Sequence, residues 1–196
     1  MPGYPGYEMS VPDLAELQWM VEYAATLAPP RPVPTSLTAS ESRRLAKLAK
    51  GRKVLEVGSS YGFSTIVMAM TASHVDAVDP HPVITPLNPG TLEGLRLSVK
   101  EYGVEDRVTV IQDYSYNALP EMPAGSYDLI FVDAFHKEEA VAVDAGLVKN
   151  LVKPGGYLAF HDYAEDWCPG VAKAVDRVLG PGGQVTDTLW IRQREA

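Results

Sequence analysis

Five short apolar runs, each closing on a polar residue and each followed by a stretch of different periodicity, constrain this chain more than any other feature. The runs cover residues 53–57, 74–79, 107–111, 127–133 and 156–162, and helical patterns cover 64–71, 91–102, 137–152 and 171–179. Runs this short and this apolar suit strands buried on both faces. Strands alternating with helices imply crossover connections and a parallel sheet. The expected fold class is therefore α/β, an open, doubly wound, mostly parallel sheet between two layers of helices. The β-like tail at 185–192 offers one or two closing strands. Ahead of the first run, Thr38-Ala39-Ser40-Glu41 has the form of a capping box, in which a threonine hydroxyl and a glutamate three residues on satisfy each other's amides. It predicts a helix over 39–50.

Residues 1–30 contain no lysine or arginine, and Pro29-Pro30-Arg31-Pro32-Val33-Pro34 makes a stiff extended connector after them. Residues 1–34 are thus expected to form an N-terminal arm on a domain spanning 35–196. Within the arm, Leu14, Leu17, Val21 and Ala24 recur at helical spacing and predict an amphipathic helix over 13–27, a face that could pair two copies in a homodimer. The formal charge of −8, with no basic stripe, argues against a nucleic-acid partner. One cysteine, Cys168, excludes an intrachain disulfide. No apolar run approaches the ~18 residues a membrane span needs, and the opening residues do not resemble a secretory leader, so a cytoplasmic protein is expected.

In open α/β sheets ligands bind beyond the carboxyl ends of the strands, where strand order reverses. The first strand end reads Glu56-Val57-Gly58-Ser59-Ser60-Tyr61-Gly62-Phe63-Ser64. This is not the G-x-G-x-x-G of a dinucleotide site, whose helix amino terminus receives a pyrophosphate. The wider turn suits a ligand without phosphates that passes close to glycine α-carbons, with an acid nearby to attract an ammonium group. Asp79 closes the second run, where a carboxylate can accept both hydroxyls of a ribose. Gln112-Asp113-Tyr114-Ser115 follows the third, a wall and polar contact for an adenine ring.

Glu56 to Ser64, Asp79, Asp113 to Ser115 and the late Lys153-Pro154-Gly155-Gly156 turn together resemble the successive motifs of class I S-adenosylmethionine-dependent methyltransferases. Phe63-Ser64-Thr65 and the Phe131-Val132-Asp133 strand end are most similar to the small O-methyltransferases of the catechol and caffeoyl-CoA type. The resemblance runs from about Ser36 to Leu179. It implies a Rossmann-like methyltransferase fold with S-adenosylmethionine as cofactor and a small-molecule acceptor. Its expected cofactor contacts are Glu56, Gly58, Ser59, Ser60, Gly62, Ser64, Asp79, Asp113, Tyr114, Ser115 and Asp133.

Methyl transfer from a sulfonium is an in-line displacement, so positioning and activation of the acceptor remain for the protein to supply. A phenol, with a pKa near 10, needs a base or a metal ion. The resemblance places Asp133, His161 and Asp162 on the positions of a divalent metal ion, and His136 where the family has a basic lysine. Histidine at 161 departs from the family's oxygen ligand, and such a set suits manganese, iron or zinc as readily as magnesium. His161 could equally be a metal-free general base oriented by Asp162 or Asp133. The catalytic candidates are Asp133, His136, His161 and Asp162. Trp167 could stack on an aromatic acceptor. His74 and His81 read as structural, and Glu138, Glu139 and Asp144 as surface acids of a helix. N-methylation, and a non-catalytic module that keeps the fold, are the alternative readings.

Overall fold

The computed structural model describes residues 32–82 and 90–195. The expected 13–27 helix and most of the 80–90 loop lie outside them. The elements run α1 (Ala39–Ala49), β1 (Lys53–Val57), α2 (Phe63–Ala69), β2 (His74–Val78), α3 (Leu92–Glu101), β3 (Val108–Ile111), α4 (Ser115–Ala118), β4 (Tyr127–Val132), α5 (Glu138–Leu151), β5 (Val152–Phe160), α6 (Gly170–Leu179), β6 (Gln184–Thr186) and β7 (Leu189–Gln193). Short 3-10 turns occupy Glu105–Arg107 and Leu119–Glu121. Among the described residues no helix is long and apolar enough to cross a membrane.

The strands form one sheet in the order β3-β2-β1-β4-β5-β7-β6. Strands β1 to β5 are parallel, while β7 is antiparallel to β5 and to β6. The order reverses between β1 and β4, which makes that boundary the topological switch point.

Successive side chains on each strand point to opposite faces, and the core divides accordingly. Val54, Leu129 and Phe131 meet Leu45 and Leu48 of α1, Ile66 and Met68 of α2, and Leu95 of α3. Their neighbours Leu55, Ile130 and Val132 face Val141 and Val148 of α5 and Val171 and Val175 of α6 on the other side. Both faces are covered, which is why these strands read as continuous apolar runs. Each fully buried leucine or phenylalanine contributes roughly 1.5–3 kcal/mol.

Two local features depart from the expectations. Strand β5 begins at Val152, ahead of the expected 156, and carries Pro154 inside it. A register shift against β4 between Tyr127 and Leu129 accommodates the Pro-Gly-Gly segment, because proline offers no N–H to the ladder. Helix α4, too short to show a period, was not anticipated. The capping box forms as predicted: Thr38 N–H donates to Glu41 at 2.8 Å and Glu41 N–H to the Thr38 hydroxyl at 3.2 Å. Val33 of the connector and Leu37 pack into the core.

Candidate functional site

Strand β1 leads into a turn in which Gly58, Ser60 and Gly62 all have positive φ. Only glycine adopts the first and last without strain, and at Gly58 there is also no room, since a Cβ would lie 2.1 Å from the Asp133 carbonyl oxygen. The turn after β1 therefore rests directly on the end of β4. Asp79 fastens it from the other side: one oxygen accepts the Ser60 N–H at 2.9 Å and the other the His81 N–H at 2.7 Å. The sequence-predicted residues of β1 and β2 are thus joined by a hydrogen bond.

Glu56 sits beneath this turn and is fully buried, its two oxygens accepting the hydroxyls of Ser64 and Thr65. Burial pushes its pKa up to about 8, partly offset by the two hydroxyls. Here Glu56 and Ser64 bind each other and support the turn. His81, read from sequence as structural, is buried with Nδ1 2.7 Å from the Thr91 hydroxyl and Nε2 3.5 Å from that of Ser59. Burial holds it below its ordinary pKa against the pull of Asp79.

Beyond β3, Asp113 accepts the N–H of Tyr114 at 2.7 Å and the Asn117 side-chain amide at 3.0 Å, which ties the segment leading into α4 to the helix. Tyr114 stacks on Tyr116 with ring centres 5.2 Å apart. Ser115 is buried and donates its hydroxyl to Asp144 of α5. The expectation that Asp144 is a surface acid is wrong, because it is wholly buried. Its spacing from Val141 and Val148 places it on the apolar stripe of the helix, a signal already present in the sequence.

The ends of β4 and β5 bring Asp133, His136, His161 and Asp162 together. Asp162 has φ of 57°, a left-handed conformation that aspartate tolerates better than most residues and that sets its carboxylate in the cluster. His136 Nε2 lies 2.8 Å from Asp162 and 3.7 Å from Asp133, and His161 Nδ1 lies 3.1 Å and 3.5 Å from the same two carboxylates. Neither nitrogen makes an aligned hydrogen bond there, so these are ion contacts. Burial alone would lower both imidazole pKa values, but the paired carboxylates outweigh it, raising His136 to about 9 and His161 to about 11. Burial would likewise raise Asp133 and Asp162, yet contact with the two histidines holds both below the usual range.

The two histidines face different ways. His136 is about one-third exposed at 32% and meets the exposed Trp167 edge to face, ring centres 4.9 Å apart. His161 is buried, and its Nε2 turns inward to Glu41 at 3.4 Å. Among the described residues the set whose donor atoms converge on one point is Asp133, His136 and Asp162, all within 4.8 Å of one another. This set differs in one member from the expected Asp133, His161 and Asp162. Two carboxylate oxygens and a ring nitrogen without a hydrogen bond fit a divalent transition ion, with its proton displaced from His136 on binding. Glu41 was missed as a site residue because its capping-box role already accounted for it. Its position at i−4 and i−7 from the buried Leu45 and Leu48 put it on the inner face of α1.

Residues 55–163 match a family model described as a methyltransferase domain. A catechol O-methyltransferase of Mycobacterium tuberculosis is 30% identical over 143 residues, covering 66% of this chain and 63% of that protein. An O-methyltransferase of Aspergillus thermomutatus is 25% identical over 118 residues, covering 60% of this chain and 48% of its own. The chain thus spans about half to two-thirds of the length of these curated relatives. Among solved structures, a cofactor-bound protein of M. tuberculosis superposes with a TM-score of 0.64 at 25% identity, covering 95% of this chain and 92% of its own. A Bacillus cereus O-methyltransferase in complex with SAH gives 0.65 at 17% identity over 95% and 92%; at that identity the likeness is one of fold.

Proposed function

Since the chain belongs to the methyltransferase-domain family that its residues 55–163 match, we propose that it transfers a methyl group from S-adenosylmethionine to a hydroxyl of a small molecule. The observation that carries this reading is the close approach of Gly58 to Asp133, which sets the expected cofactor turn directly beside the acid cluster at the switch point. A donor on that turn and an acceptor at the cluster would be neighbours.

The residues fit the cofactor. Asp79 spends one lone pair of each oxygen on a backbone N–H and keeps others for two ribose hydroxyls. The 113–115 segment lies at the next strand end, in reach of a base attached to that ribose. The missing side chain of Gly58 lets the turn close directly onto the end of β4. Glu56 supports this surface from below. S-adenosylmethionine, when bound, supplies a methyl group already attached to a good leaving group.

For the acceptor, the open end of the cluster belongs to His136 and Trp167. His136 lines that end with its Nε2 buried against Asp162 and Asp133, which hold the ring in its charged form, so a metal-free role as base needs that proton removed first. His161 is closed off from that end. A divalent ion held by Asp133, His136 and Asp162 would supply Lewis acidity to the hydroxyl. Trp167 offers a face to an aromatic acceptor. The acidic charge of −8 supports a small-molecule acceptor over nucleic acid. Operation in the cytoplasm, and a homodimer formed through residues 13–27, remain part of this proposal on sequence grounds alone.

The test is methyl transfer from methyl-labelled S-adenosylmethionine to catechol and to a panel of phenols and alcohols, with matched amines alongside. Label on hydroxyl oxygens, abolished in Asp133→Ala, supports the reading. Label only on amines, or none on any acceptor, contradicts it.

A further inference from the structure

We propose that Glu41 is a positioning residue: it fixes the imidazole of His161 through Nε2, and the ring in turn holds the carboxylates of Asp133 and Asp162 in place. The use made of those carboxylates rests on the methyltransferase reading; the positioning itself does not.

A capping box needs one carboxylate oxygen, and it normally lies at the surface. Glu41 is fully buried, and only one oxygen faces its cap. The other accepts both the N–H and the hydroxyl of Thr188, each at 2.8 Å, from the turn between β6 and β7. The capping oxygen also faces His161 Nε2. One carboxylate therefore links the first helix, the closing hairpin and the end of β5. Three N–H and O–H donors besides His161 keep it fixed at no cost in unsatisfied groups.

The orientation of the His161 ring rests on this contact. Its ring is 2% exposed, and its hydrogen bond among the described residues is the one to Glu41. Nδ1 lies near both Asp133 and Asp162 without an aligned hydrogen bond, so those contacts attract the ring but do not set its angle. Without the Glu41 carboxylate, Nε2 would be a buried donor lacking an acceptor, which costs about 1–3 kcal/mol. The ring would relieve that cost by turning Nδ1 fully onto one carboxylate, drawing Asp162 away from Asp133 and His136. Glu41 does not reach the exposed end of the cluster, so its influence passes through His161.

The experiment compares wild type with Glu41→Gln by ring-nitrogen NMR on histidine-labelled protein at one fixed pH. The chain has four histidines, so His161 can be assigned by substitution. Glutamine preserves the N3 acceptor of the capping box, and thus the helix, while removing the charge. Expected is a shift of the His161 ring signals with those of His81 unmoved. In Thr188→Val, which loses a bond to the other oxygen only, the melting temperature falls and the His161 signals stay put. His161 signals unchanged in Glu41→Gln overturn the proposal. Should that variant not fold, Glu41→Asp, which keeps the charge and withdraws it by one methylene, must shift the same signals or the proposal fails. Titration of both proteins with S-adenosylhomocysteine keeps the two claims separate. Failure of the wild type to bind it defeats the methyltransferase reading, whereas His161 signals that ignore residue 41 defeat the positioning.

Discussion

The α-carbon of Gly58 packs against the backbone carbonyl of Asp133, close enough that a Cβ would fall 2.1 Å from that oxygen. The turn after β1 and the acid at the end of β4 are thereby a single surface. Gly58→Ala combines this overlap with a φ of 92° that alanine resists. We expect it to lower unfolding stability by at least about 2 kcal/mol in urea, and to weaken S-adenosylhomocysteine binding beyond tenfold.

Glu56 makes stability depend on pH. Its ordinary pKa of 4.5 is raised to about 8 in the fold, so the folded protein keeps a proton that the unfolded chain releases. Its contribution is complete below about pH 4.5 and is lost as pH rises through about 8, by up to about 1.4 kcal/mol per pH unit. Glu56→Gln mimics the protonated acid. Melting temperatures between about pH 5 and 8 should fall for wild type and be flatter for the variant; parallel curves would refute the assignment.

The two histidines of the cluster should respond differently to substitution. His136→Gln removes the ring nitrogen that meets Asp162 and Asp133 and is expected to reduce methyl transfer about 100-fold or more, the usual scale of an acid–base group. S-adenosylhomocysteine affinity should stay within about threefold. An unchanged rate would exclude His136 from the chemistry.

Asp144 and Ser115 form a buried pair between α5 and the start of α4. Asp144→Ala leaves the Ser115 hydroxyl without this acceptor and opens a void. A loss of roughly 2–4 kcal/mol in urea unfolding is expected. A loss below about 0.5 kcal/mol would show that the pair does little.

The layers of the fold were readable because parallel strands covered on both faces leave an unmistakable record: Val54-Leu55 and Leu129-Ile130-Phe131-Val132 supply both cores at once. The strand-end acids were readable for the same reason, since the ends of buried runs are where polar residues must surface. What escaped were pairings made by closure of the fold. Glu41 meets Thr188 and His161 only after the hairpin of β6 and β7 folds over α1, and Ser115 meets Asp144 only after α5 crosses back. In both cases the helical stripe already placed the acid inward, but Asp144 was assigned to solvent on its chemistry and Glu41 to its cap alone. The inward turn of His161 depends on the same closure, which is why the expected and the converging ligand sets differ by one histidine.

The central claim is that the joined ends of β1, β2 and β4 bind the methyl donor. Calorimetric titration with S-adenosylhomocysteine tests it most directly, on wild type and on Asp79→Ala, which loses the acceptor of the Ser60 and His81 amides. The account predicts one site per chain in wild type and an affinity at least about tenfold weaker in the variant. No heat from wild type at high protein concentration, or equal affinity in both proteins, would contradict it.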